Sequence, residues 1–244
     1  MKRHYYFLAL VYALLLCLSQ AQAETGSKLF AKAGTPLTFF KTGAIQSLVT
    51  LRDYKLANGI TVKGGNQISY YENGVMKSLI LASDFSIPKD GKVLLAGTKI
   101  SVHKNGNIAG CTFKDNWQTP DGMLIKGGTE ILFYDNGNII SCTLAANWVN
   151  KSGMVIKTNT AVEWYDNGKI RRAILAKDYA LANGAVIQAG SEVTFYENGN
   201  IKTGIIAHAV TIIGGAEAKS GTSMEWFKTG KIHRFYLAGD WKSP

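Results

Sequence analysis

Four aspartates recur at one offset in this 244-residue sequence. Asp53, Asp84, Asp178 and Asp240 each follow a turn glycine by ten residues, and Asn116 and Asn147 take the same offset between them. A row of carboxylates is what a calcium site or a glycoside hydrolase needs. Asn weakens either chemistry, whereas Asp and Asn serve equally well as turn caps, so turn chemistry is the expectation here. His103, His208 and His233 stand at three different offsets, and none has a second ligand at metal spacing. Cys111 and Cys142 share an offset among apolar neighbours, which predicts two small buried side chains. A disulfide between them needs strands stacked one spacing apart, about 5 Å, rather than two, about 10 Å. The sequence contains no Ser/His/Asp set, phosphate loop or metal motif. The expectation is therefore a non-enzyme with no catalytic residue, no metal and no cofactor.

The series closest to a binding surface is aromatic: Tyr71, Tyr134, Tyr165 and Tyr196. Evenly spaced rings can stack on sugars or form a contact strip for a protein. Equally, each ring can simply cover the residue across the strand pair. Sequence leaves both readings open.

What positions these residues is a repeat. The turn glycines are Gly43, Gly74, Gly106, Gly137, Gly168, Gly199 and Gly230, spaced by 31 residues with a single 32. Around Gly137 the sequence runs Phe133-Tyr134-Asp135-Asn136-Gly137-Asn138-Ile139, an aromatic strand end, a turn and a returning strand. Asn-Gly suits a two-residue type I′ turn with both residues at φ > 0, which would place Ile139 across from Tyr134. A second glycine series, with Asn159 substituting once, lies nine residues before each turn glycine, and a third near sixteen after it. Three turns define four short strands per period, and apolar residues alternate along them. No stretch after residue 23 reads as a helix. The expected fold is all-β: seven hairpin repeats stacked as an open, elongated, antiparallel two-layer structure. The long hairpins would form one sheet and the shorter, Trp- or Tyr-led hairpins a second about 10 Å away. A β-solenoid and a single-layer meander are the alternatives.

Residues 1–23 read as a secretory signal. Lys2 and Arg3 precede an apolar run from Tyr5 to Leu18, and Ala21-Gln22-Ala23 supplies the small-x-small cleavage pattern. The run is short for a membrane span, so the expectation is cleavage and export to the periplasm or cell surface, with no transmembrane segment afterwards. Residues 24–244 then form a single β-repeat domain. The formal charge of +10 falls to +8 with Lys2 and Arg3 removed, a surface that associates weakly with polyanions. No nucleic-acid motif accompanies it, and no specific nucleic-acid binding is expected.

Tyr165-Asp166-Asn167-Gly168-Lys169-Ile170 and Tyr196-Glu197-Asn198-Gly199-Asn200-Ile201 resemble the variant form of the MORN repeat. Proteins carrying it are often labelled antitoxin-like, and the resemblance implies non-catalytic binding or scaffolding units. A fainter similarity links the aromatic-Gly hairpins to bacterial wall-binding repeats. The implied function is an exported binding or scaffolding surface at the cell envelope, with an unknown protein or an envelope polysaccharide as partner. A wall-carbohydrate-binding module and an antitoxin or immunity-type protein are the alternatives.

Overall fold

A computed structural model describes residues 30–56, 59–87, 92–212 and 214–242; residues 1–23, expected to be a secretory signal, lie outside these. The described residues form strands and turns only. Two strands from each repeat enter one antiparallel sheet of fourteen. In hydrogen-bonded order these are Thr38–Phe39, Ile45–Val49, Gln67–Tyr70, Met76–Ile80, Lys99–Val102, Ile108–Thr112 and Glu130–Phe133. Ile139–Thr143, Ala161–Trp164, Ile170–Ile174, Glu192–Phe195, Ile201–Ile205, Ser223–Trp226 and Ile232–Arg234 follow. Sheet order equals chain order, so each strand is joined to its neighbour locally, and the sheet does not close.

The hairpin turn differs from the type I′ expectation. Gly137 sits at φ +85°, but Asn136 is not left-handed; Asn159 is the one non-glycine residue with positive φ among those described. Tyr134 N–H donates to Asn138 O at 2.8 Å and Gly137 N–H to Tyr134 O at 2.9 Å. This is a type I turn over Asp135-Asn136, with glycine as the left-handed bulge residue after it. The extra residue shifts the register. Ile170 lies opposite Trp164 and Ile201 opposite Phe195, not opposite Tyr165 and Tyr196. The residue nine positions earlier, Gly128 at φ +72° in the fourth repeat and Asn159 at φ 56° in the fifth, holds the link into the long hairpin.

Between long hairpins the chain makes a hairpin of two-residue strands, for example Trp148–Val149 with Val155–Ile156. The expected second sheet does not form as a continuous layer. The six short hairpins are separate two-stranded pairs. Each return strand instead makes one bridge to the residue ending the next long hairpin, as in Ile156 to Leu175 and Ile187 to Ile206. Ile156 thus pairs with Trp148 on one side and bridges Leu175 on the other, and each short hairpin ties its own repeat to the next.

The short hairpins cover one face of the sheet. Ile68, Ile100, Ile131, Val162, Val193 and Met224, one per repeat, are fully buried on it, together with Val62, Leu94, Ile125, Ile156 and Ile187 from the short hairpins. Facing side chains compensate in size. A Cβ on Gly204 would come within 2.9 Å of Ile187 Cδ1, so the glycine makes room for the short hairpin above it. Cys111 and Cys142 occupy this slot in the third and fourth repeats; both are free and buried, opposite Ile131 and Val162 respectively.

The chain divides into two units. One takes the chain through Trp117 together with Gly127–Ile139, and the other Gln118–Lys126 together with the chain from Ile140 onward.

Candidate functional site

The polar residues of the repeat fall into two hydrogen-bonded ladders and one uncovered face. The first ladder is the aspartate series. Asp53 Oδ1 accepts from Gly64 N–H at 2.8 Å, Asp84 from Ala96 at 2.8 Å and Asp178 from Ala189 at 2.7 Å. Asn116 and Asn147 make the same bond, to Gly127 at 2.9 Å and Thr158 at 2.7 Å. Asp and Asn are interchangeable because only the acceptor oxygen is used. Asp84 also pairs with Lys114 at 2.7 Å. That hydrogen bond, with the one from Ala96, holds the carboxyl below its ordinary range. Asp240 is exposed. Among the described residues no three His, Cys, Asp or Glu side chains group at metal-binding distance.

The second ladder explains the Tyr-x-Asn-Gly phrase. The Tyr71 hydroxyl donates to Val102 O at 3.0 Å, Tyr165 to Phe195 O at 2.7 Å and Tyr196 to Trp226 O at 3.0 Å. Each reaches a backbone carbonyl one repeat further on. His103 takes the tyrosine position in the third repeat and bridges to Phe133 O through Nε2 at 2.7 Å. A carbonyl only accepts, so Nε2 carries the proton. Tyr134 is half-buried like its equivalents. The turn asparagine works at both ends. Asn167 Oδ1 accepts from Lys169 N–H at 3.0 Å and braces its own turn; its Nδ2 donates to Glu197 O in the next turn at 3.0 Å. Asn73, Asn105 and Asn198 repeat the outgoing bond, to Lys104, Asp135 and Lys228. The terminal repeats lack the phrase: Thr42 donates to Glu72, and Phe227 has no hydroxyl and stacks with His233, ring centroids 4.2 Å apart. His208 and His233 are exposed.

The uncovered face carries a row of polar residues, interrupted at Gly110 and Leu132, which the turn-based reading of the sequence passed over. In the first unit the register aligns Thr38, Ser47, Ser69, Ser78 and Ser101 side by side. Thr38 and Ser47 share a hydrogen bond of 2.7 Å, and Ser69 and Ser78 one of 2.8 Å. In the second unit the same offsets give Glu163, Arg172, Thr194, Thr203, Glu225 and Arg234. Arg172 pairs with Glu163 and, at 2.9 Å, with Glu192, while Arg234 pairs with Glu225. Those carboxylates raise both guanidinium pKa values further. The sequence signal for this row is a Ser or Thr pair nine residues apart, as in Ser69 and Ser78 or Thr194 and Thr203.

Comparison with known proteins gives one family match. Residues 63–81 match the model described as the MORN repeat variant, placing the second long hairpin in that repeat family over this short segment. The matched residues run from the turn at Gly65, through both strands, to Leu81. No curated protein sequence matches the chain. Two crystal structures show local similarity. TcdB2-TccC3-TEV is 14% identical over 78% of this chain and 9% of that chain, with a TM-score of 0.18. TcdB2-TccC3-Cdc42 is 12% identical over 80% of this chain and 12% of that one, also at 0.18. This chain thus spans about a tenth of either structure's length, and a TM-score so low defines no common fold.

Proposed function

We propose that this protein is an exported, non-catalytic binding scaffold of the cell envelope, presenting the uncovered face of its long sheet to an envelope component. The observation that carries this reading is how the recurring polar residues are used. The aspartate and tyrosine series, the two candidates for chemistry or recognition, spend their polar atoms on backbone groups in turns and neighbouring repeats. The polar row on the uncovered face instead pairs side chain with side chain across neighbouring strands. Export rests on the leader sequence and the basic charge, which suits anionic envelope polymers.

The test is fractionation of expressing cells, followed by N-terminal sequencing and co-sedimentation of the exported chain with isolated envelope material. The expected result is a chain beginning at Glu24 that pellets with the envelope at low salt. A chain that keeps Met1 and stays in the cytosol, or one that never pellets, overturns the proposal.

A further inference from the structure

We propose that a groove on the uncovered face of the first unit is a binding subsite for an acidic oligosaccharide, an inference that rests on the scaffold reading above. The groove has a volume of about 490 Å³, within the size range of small-molecule sites. It exists because the residues of its row are small. Thr38, Ser47 and Ser69 leave depth that the ion-paired Arg172 and Glu163 fill at the same offsets in the second unit.

The lining chemistry selects the ligand. Gln46 and Gln67 are exposed amides that offer donors and acceptors together, while the floor hydroxyls of Ser47 and Ser69 are already paired with Thr38 and Ser78 and keep acceptor capacity. That mixture matches sugar hydroxyls, which also donate and accept. Tyr71 adds a half-buried apolar ring whose hydroxyl is already committed to Val102 O and over which the Lys77 ammonium lies, so ring and cation would meet a sugar together. Two exposed cations stand at the groove, Lys77 and Lys104, and Lys77 Nζ lies 5.6 Å from the centre of the Tyr71 ring. The acid at the groove is Glu72, one of whose oxygens already accepts from Thr42. Two lysines against one engaged carboxylate leave a net positive site, and a carboxylate on the sugar complements it. A neutral glycan would leave that charge unused. A bare polyanion would use the lysines and neglect the hydroxyls, amides and ring.

The test is titration calorimetry on the exported chain with three probes of equal length: tetragalacturonate, cellotetraose and inorganic tetraphosphate. The expected result is that tetragalacturonate binds at least tenfold tighter than either other probe. Lys77→Gln with Lys104→Gln should weaken it at least tenfold, and Gln67→Ala severalfold, with unchanged urea midpoints. Equal binding of tetraphosphate, equal binding of cellotetraose, unaltered affinity in the double variant, or no heat with tetragalacturonate at millimolar concentration each overturns the proposal. Envelope sedimentation of the same double variant separates the two readings. If it still pellets like wild type, the subsite is wrong and the scaffold stands; if wild type itself does not pellet, the scaffold reading fails.

Discussion

At Gly137 the backbone holds φ +85°, a conformation a β-branched residue reaches only under strain. Gly137→Val should therefore lower stability by about 1–3 kcal/mol, read as a shift in urea midpoint. Gly137→Asn should cost clearly less, because Asn tolerates the left-handed region, as Asn159 does at φ 56° in its own turn. The glycine positions were readable from sequence, since their 31-residue period is written in the residues. The turn type was not. Asn-Gly serves both a type I′ turn and a type I turn with a glycine bulge, and only the register, Ile201 against Phe195, separates them.

The buried thiols give a second prediction at this scale. Burial pushes Cys111 and Cys142 up from 9.0 to about 12, and burial, with Tyr54 nearby, pushes Tyr70 up from 10.0 to about 12. Between those limits the unfolded chain has lost protons that the folded chain keeps. Stability is then unaffected by these groups below pH 9 and falls as pH rises towards 12. The urea midpoint should drop between pH 9 and 11, and Cys111→Ala with Cys142→Ala should flatten that drop. Alanine is already accommodated in this slot at Ala173, which is buried. An equal drop in the double variant would show that the thiols do not carry the effect.

At the scale of the element, each long hairpin is held to the next by side chains as well as by its strands. Tyr165→Phe keeps the ring and removes only the bond to Phe195 O, an expected loss of about 0.5–1.5 kcal/mol. Asn167→Ala removes the brace at Lys169 N–H and the donation to Glu197 O, and should cost about 1–3 kcal/mol by leaving backbone groups short of partners. Both are read from urea unfolding, and a smaller loss for Asn167→Ala than for Tyr165→Phe would contradict the ladder. Strand pairs, and the strong period itself, were legible because they follow alternation and turn residues. The Tyr and Asn bonds were hidden because they span 30 or 31 residues and end on backbone atoms, which leave no trace in residue type. The short hairpins were read as strands but also as a continuous second sheet; their two-residue length limits each to one bridge with the next repeat. The polar row was missed because its residues are unremarkable alone and become a row only when the register aligns them.

At the scale of the whole molecule, the repeated phrase builds the fold, and binding is proposed to lie on the uncovered face. The most direct measurement compares two variants of the protein, each assayed for urea midpoint and for co-sedimentation with envelope material. Asn167→Ala disrupts the ladder, and Lys77→Glu reverses an exposed charge at the groove. Asn167→Ala should lower the midpoint and pellet like wild type while folded, and Lys77→Glu should keep the midpoint and pellet at least severalfold less. A Lys77→Glu protein that pellets fully, beside a folded Asn167→Ala protein that does not pellet, would contradict that proposal by placing recognition on the turns instead of the face.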